Sequence, residues 1–118
     1  MRNPRDYETD KLFRNDGDTF TDVTAEAEIR SFGLTNSATV GDINSDGWPD
    51  IYISNDFNVP DYMLINDGDG TFSEHSKELT KQTALYGMGV DIADFNNDGW
   101  DDIYVCNDFH EDDYYYIN

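Results

Sequence analysis

Short segments in which apolar and polar residues alternate recur along the chain, set off from one another by clusters of Asp, Asn and Gly. Four such segments are read as strands: ATVGDI (38–43), DIYISN (50–55), DYMLIN (61–66) and GTFSEH (70–75). A period of two places successive side chains on opposite faces of a sheet, so each strand offers one face to a core. Two polar stretches, TAEAEIR (24–30) and SKELTKQ (76–82), have the spacing of a single helical turn and are read as links between sheets.

The pattern repeats. DINSDGWPDIYISNDF (42–57) aligns without a gap on DFNNDGWDDIYVCNDF (94–109), an offset of 94 − 42 = 52 residues. The same offset carries Asp61 onto Asp113, Tyr62 onto Tyr114, Ile65 onto Ile117 and Asn66 onto Asn118. Upstream, DKLFRNDGDTFTDVT (10–24) matches DYMLINDGDGTFSEHS (61–76) at an offset of 61 − 10 = 51, one glycine short in the turn. The expected organisation is the tail of one unit plus a linker (1–37), a complete repeat (38–89) and the start of a third (90–118). Because the third unit stops before its last turn and strand, the sequence is expected to be part of a longer repeat protein. Four short strands per unit, at about 40 to 50 residues per unit, are the dimensions of a propeller blade. The predicted fold is therefore all-β, as four-stranded antiparallel blades of a β-propeller, about two of them present.

Composition narrows the class. The chain has 118 residues, of which 14% are aromatic, so it can bury a core and is not a disordered acidic tail. Its 26 acidic against 7 basic residues give a net charge of −19, a field that repels phosphate backbones and attracts cations. Nucleic acid is thus excluded as a partner. No apolar run approaches the length of a membrane span, and MRNPRDYETD has no apolar signal-peptide core. The single cysteine, Cys106, excludes an internal disulfide framework.

The acids are clustered, and that clustering carries the chemistry. Residues 42–50 and 94–102 share the pattern DxNxDGxxD. Asn, Asp and Gly form turns by themselves, which accounts for Gly47 and Gly99 but not for carboxylates at alternate positions in both copies. Two like charges at about 4 Å cost roughly 4 kcal/mol at an effective dielectric near 20, so converging carboxylates need distance or a cation. An EF-hand is excluded: its twelfth position requires Glu, and counting from Asp42 and Asp94 gives Ile53 and Val105, both inside strand-like runs. What remains is a short calcium hairpin loop. Its oxygen donors would be the side chains of Asp42, Asn44, Asp46 and Asp50 with the backbone carbonyl of Trp48. The second loop would use Asp94, Asn96, Asp98 and Asp102 with the carbonyl of Trp100. Hard oxygen donors without His or Cys favour Ca²⁺ over the alternative, Mg²⁺, which prefers to keep several waters, and two sites are expected.

Other residues receive plainer readings. The rings of Trp48 and Trp100 are expected to pack over a neighbouring strand, and Tyr52 and Tyr104 to lie in the core between blades. DGDGTF (67–72) is read as a glycine-rich hairpin turn, and Asp56 and Asp108 as turn caps. His75 and His110 do not match in the repeat and make no zinc site. Cys106, aligned with Ser54, is a strand residue without a neighbouring base, and Tyr114, Tyr115 and Tyr116 form an ordinary strand.

GDINSDGWPDIYISND and ADFNNDGWDDIYVCND resemble FG-GAP/VCBS-type repeats, the blades of integrin-α-like propellers, and LINDGDGTF with LFRNDGDTFTDVTAEA is similar to the cartilage-acidic-protein (ASPIC/UnbV-like) branch. The resemblance implies a seven-bladed propeller with Ca²⁺ in the hairpin loops of several blades. It further implies an extracellular, periplasmic or cell-surface location and a role in adhesion or scaffolding, toward a protein or carbohydrate partner, without catalysis. The competing expectation is a propeller hydrolase or lyase with its active site in blades outside this stretch. Against it, the carboxylates recur identically in each repeat, whereas a single active site would break the repetition.

Overall fold

The computed structural model describes residues 10–57, 59–80, 83–108 and 111–118. Among the described residues, nine short strands and one helical turn follow in chain order, and the paired strands are antiparallel to their sequence neighbours. β1 (Phe13–Asn15) and β2 (Phe20–Asp22) form a hairpin. β3 (Leu34–Gly41), β4 (Asp50–Asp56), β5 (Tyr62–Asn66) and β6 (Phe72–Glu74) form a four-stranded meander. After α1 (Ser76–Leu79), the strands β7 (Gly87–Ala93), β8 (Asp102–Asn107) and β9 (Tyr114–Tyr116) repeat the first three strands of that sheet. The all-β, blade-like architecture read from the alternation is present.

Details differ from the pattern. β3 begins at Leu34, ahead of the alternating stretch 38–43, because its first residues pair with the end of β4: Leu34 with Asp56 and Thr35 with Asn55. β6 is only Phe72–Glu74, since Gly68 and Gly70 hold positive φ and keep residues 67–71 in the turn. The segment 24–30 is a run of turns; one helical bond, Ala27 N–H to Val23 C=O at 2.8 Å, is followed by Glu28 at φ 59, which ends it. The helical turn expected at 76–82 is seen over Ser76–Leu79; Lys81 and Gln82 lie outside the described residues, as does His110.

Alternation along β4 and β5 decides how the sheets stack. Tyr52, Met63 and Ile65 turn to one face and meet Ile103 and Val105 of β8, with Ile43 and Ala84 completing the cluster. Ile53 and Leu64 turn to the other face and meet Ala27 and Ile29 of the upstream segment. The middle strands of the central sheet, β4 and β5, are thus covered on both faces. Tyr104 of β8, offset by 52 from the fully buried Tyr52, is 36% exposed, because among the described residues no further sheet covers that face.

Candidate functional site

Each acidic loop joins the end of one strand to the start of the next: residues 42–49 between β3 and β4, and 94–101 between β7 and β8. The two loops adopt one conformation. Ser45 and Asn97 have φ 62 and 59, and Gly47 and Gly99 have φ 90 and 91, which curl the chain back on itself. Asp42 accepts the amides of Asp46 (3.1 Å) and Gly47 (2.9 Å); Asp94 accepts those of Asp98 (3.1 Å) and Gly99 (2.8 Å). Asp46 accepts Trp48 N–H at 2.9 Å and Asp98 accepts Trp100 N–H at 3.0 Å. The amide groups of Asn44 and Asn96 donate to Asp46 and Asp98 at 2.9 and 3.1 Å.

The last acid of each loop is the most buried. Asp50 and Asp102 are both fully inaccessible. Asp50 accepts Ile43 N–H at 2.7 Å and Asn66 N–H at 2.8 Å; Asp102 accepts Phe95 N–H at 3.2 Å and Asn118 N–H at 2.9 Å. Each therefore ties the loop entrance to the end of the third strand of its sheet. Burial raises the Asp50 carboxyl above its ordinary range against the pull of these amides, and the Asp46 charge adds to the rise.

The donors fit a hard cation in chemistry: every side chain offered is a carboxylate or an amide with a lone pair left over after its bond to a loop N–H. The salt-bridge contacts among the described residues, Arg14–Asp16 and His75–Glu78, involve no residue of either loop. Among the described residues, however, no three His, Cys, Asp or Glu side chains converge as a ready-made metal group. Closure on an ion requires the Asn44 and Asn96 oxygens, the main-chain carbonyls and a turn of the Asp46 and Asp98 carboxylates inward.

The other candidates take simpler places. Trp48 packs over the β5–β6 turn rather than a strand: a Cβ on Gly68 would stand 3.0 Å from its Nε1. Asp67 and Asp69 bond Thr71 and Ser73 within that turn. Asp56 accepts the adjacent Phe57 amide at 2.8 Å.

A second repeated constellation was not assigned from the sequence. Asp61 accepts Tyr52 O–H at 2.7 Å and Asn55 N–H at 2.8 Å, while the Asn55 side chain donates to Pro60 C=O at 2.9 Å. Fifty-two residues on, Asp113 accepts Tyr104 O–H at 2.6 Å and Asn107 N–H at 2.9 Å, and Asn107 donates to Asp112 C=O at 2.6 Å. The coincidence of Tyr, Asn and Asp at one offset was the available signal. Environment separates the copies: burial pushes Asp61 up to about 6, whereas the Tyr104 hydrogen bond holds the exposed Asp113 below its usual range.

The FG-GAP-like repeat family matches the chain twice, over residues 4–53 and 45–105, with an acidic loop in each match. The chain belongs to this family. The FG-GAP-like chain is 36% identical over 87 residues to cartilage acidic protein 1 of Mus musculus and 37% identical over 87 residues to that of Homo sapiens, each alignment covering 73% of this chain. To the Xenopus tropicalis protein it is 33% identical over 88 residues, 74% of this chain. The aligned stretch spans 13% of the length of each of these relatives. Among the described residues, no helix is long and apolar enough to cross a membrane.

Proposed function

We propose that this chain is a calcium-stabilised blade segment of an exported adhesion or scaffold protein, in which the metal is structural and the segment performs no catalysis. The observation that carries this reading is the pair of loops with one donor set, one backbone conformation and one hydrogen-bond scheme, 52 residues apart. Asp42, Asn44, Asp46, Asp50 and the Trp48 carbonyl would hold one Ca²⁺; Asp94, Asn96, Asp98, Asp102 and the Trp100 carbonyl would hold the other. Bound there, the ion neutralises the loop carboxylates and couples metal binding to folding of the hairpin. Two ions would move the net charge from −19 to −19 + 4 = −15, leaving a surface suited to a protein or carbohydrate partner and not to nucleic acid. Export and adhesion follow from kinship to relatives named for cartilage, and a ring of seven blades from the family resemblance.

Thermal unfolding in EDTA and in millimolar Ca²⁺ tests the reading, with Asp46→Ala/Asp98→Ala as the control. Saturation at 100 times the dissociation constant adds about 2.7 kcal/mol per site. A calcium-dependent rise in Tm that disappears in the double variant is expected. A folded protein with the same Tm in both buffers sinks the proposal and leaves the loops as amide-stapled turns.

A further inference from the structure

The junction between the central sheet and the β7–β9 sheet buries more than aliphatic side chains. Asp61, in the β4–β5 connection, is 1% exposed, and its Oδ2 accepts the hydroxyl of Tyr52 on β4 at 2.7 Å. The Tyr52 hydroxyl also hydrogen-bonds that of Tyr116 on β9, across the junction. The ring of Tyr116 stacks on Tyr114, centroids 5.8 Å apart and 3° from parallel. Tyr114 donates its hydroxyl to Glu111 Oε1 at 2.9 Å. The other Glu111 oxygen accepts the amides of Leu85 (2.9 Å) and Tyr86 (3.2 Å), which lead into β7. A file of three tyrosines therefore crosses the junction with a carboxylate at each end, and the Glu111 charge acts on Asp61.

The surroundings leave little room for relaxation. A Cβ on Gly87 would collide with Ser54 Oγ and come within 3.3 Å of Asp61 Oδ1. On the far side of Asn55, Thr35 links its side chain to the carboxylate of Asp10, a further negative group. Neither ion pair among the described residues involves Asp61 or Glu111.

We propose that the Asp61–tyrosine–Glu111 file is a pH-sensitive latch between consecutive blades, closed when Asp61 is protonated and loosened when it ionises. Protonation removes a charge that burial holds out of water, against the Asn55 and Tyr52 bonds that favour the ionised form, and with it the smaller repulsion from the half-buried Glu111. The folded-state pKa of Asp61 is raised from 3.8 to about 6 by burial. Its contribution is accordingly full below the unfolded value and is lost as pH rises through about 6. For that shift, linkage makes the junction-opening constant about tenfold larger at about pH 7.5 than at about pH 5. The window lies above the titration of ordinary exposed carboxylates. Asp113 is the internal control, with the same tyrosine and amide bonds but on an exposed face.

Residue-resolved amide hydrogen exchange of the Leu85 and Tyr86 N–H groups, corrected for intrinsic rates and at constant Ca²⁺, reads the latch directly. Protection about tenfold lower at about pH 7.5 than at about pH 5 is expected. Asp61→Asn should abolish the difference and Asp113→Asn should keep it. Equal protection at both pH values in the unmodified chain, or a difference that survives Asp61→Asn, overturns the proposal. Should Asp61→Asn not fold, Glu111→Gln decides in its place: removing the facing charge must lower the pH midpoint of the exchange change, and an unmoved midpoint refutes the latch.

Discussion

At the scale of single residues, the acidic loops turn on backbone angles as much as on carboxylates. Ser45 and Asn97 occupy the left-handed region at matched positions, φ 62 and 59. Asn tolerates that conformation because its short amide bonds locally; Ser does so less well. Ser45→Asn is expected to raise Tm slightly in metal-free buffer, whereas Gly47→Ala, at φ 90, should cost about 1–2 kcal/mol. Urea unfolding of the two variants measures both, and a Gly47→Ala protein as stable as the parent contradicts the account. Tyr52→Phe and Tyr104→Phe form a second pair. The first leaves the buried Asp61 carboxylate short of a donor and should cost about 1–3 kcal/mol; the second removes the same bond at an exposed site and should leave Tm in place.

At the scale of elements, matched irregularities matter more than matched strands. β3 and β7 each carry one extra residue at the same repeat position, between Thr35 and Ser37 and between Gly87 and Gly89. The bulge lets Asn36 reach the Gly87 carbonyl at 2.9 Å, and farther along Thr39 bonds the Val90 carbonyl at 2.9 Å, so these two strands are stapled side by side. Gly87 sits where the central sheet presses on β7, and a methyl group there meets Ser54. Gly87→Ala should therefore destabilise by about 1–3 kcal/mol through overpacking, although its φ is unremarkable for any residue. Met63→Ala, from a side chain 1% exposed in the same junction, should cost about 2–5 kcal/mol. Chemical denaturation distinguishes a junction that yields easily, which would show in smaller losses for both.

For the whole molecule, charge and stacking are the governing terms. With 26 acids against 7 bases, self-repulsion opposes compaction, so added monovalent salt in EDTA should raise Tm by screening. A Tm that falls with salt would show that repulsion is not the limiting term. The outer face of the last sheet carries Phe95, Tyr104, Tyr115 and Ile117, all at least 36% exposed. Their counterparts 52 residues earlier, Ile43, Tyr52, Met63 and Ile65, are buried against the following sheet. The same pattern thus yields a core or a surface according to what lies beside it.

That contrast marks the boundary between sequence and structure. Alternation, turn residues and the 52-residue period were sufficient for strands, repeat and loops, because period-two patterning and glycine chemistry are local properties of the chain. The acidic loops were visible for the same reason, all their aspartates and asparagines falling within nine consecutive positions. Asp61 was visible only as an aligned letter. Its partner Tyr52 bonds in turn Tyr116 of the next sheet, and its burial depends on how those sheets meet. Stacking removes water from one copy of the Asp–Tyr–Asn clasp and leaves the other copy wet. The repeat wrote both alike, and only tertiary packing, by setting the solvation of each carboxylate, made them different.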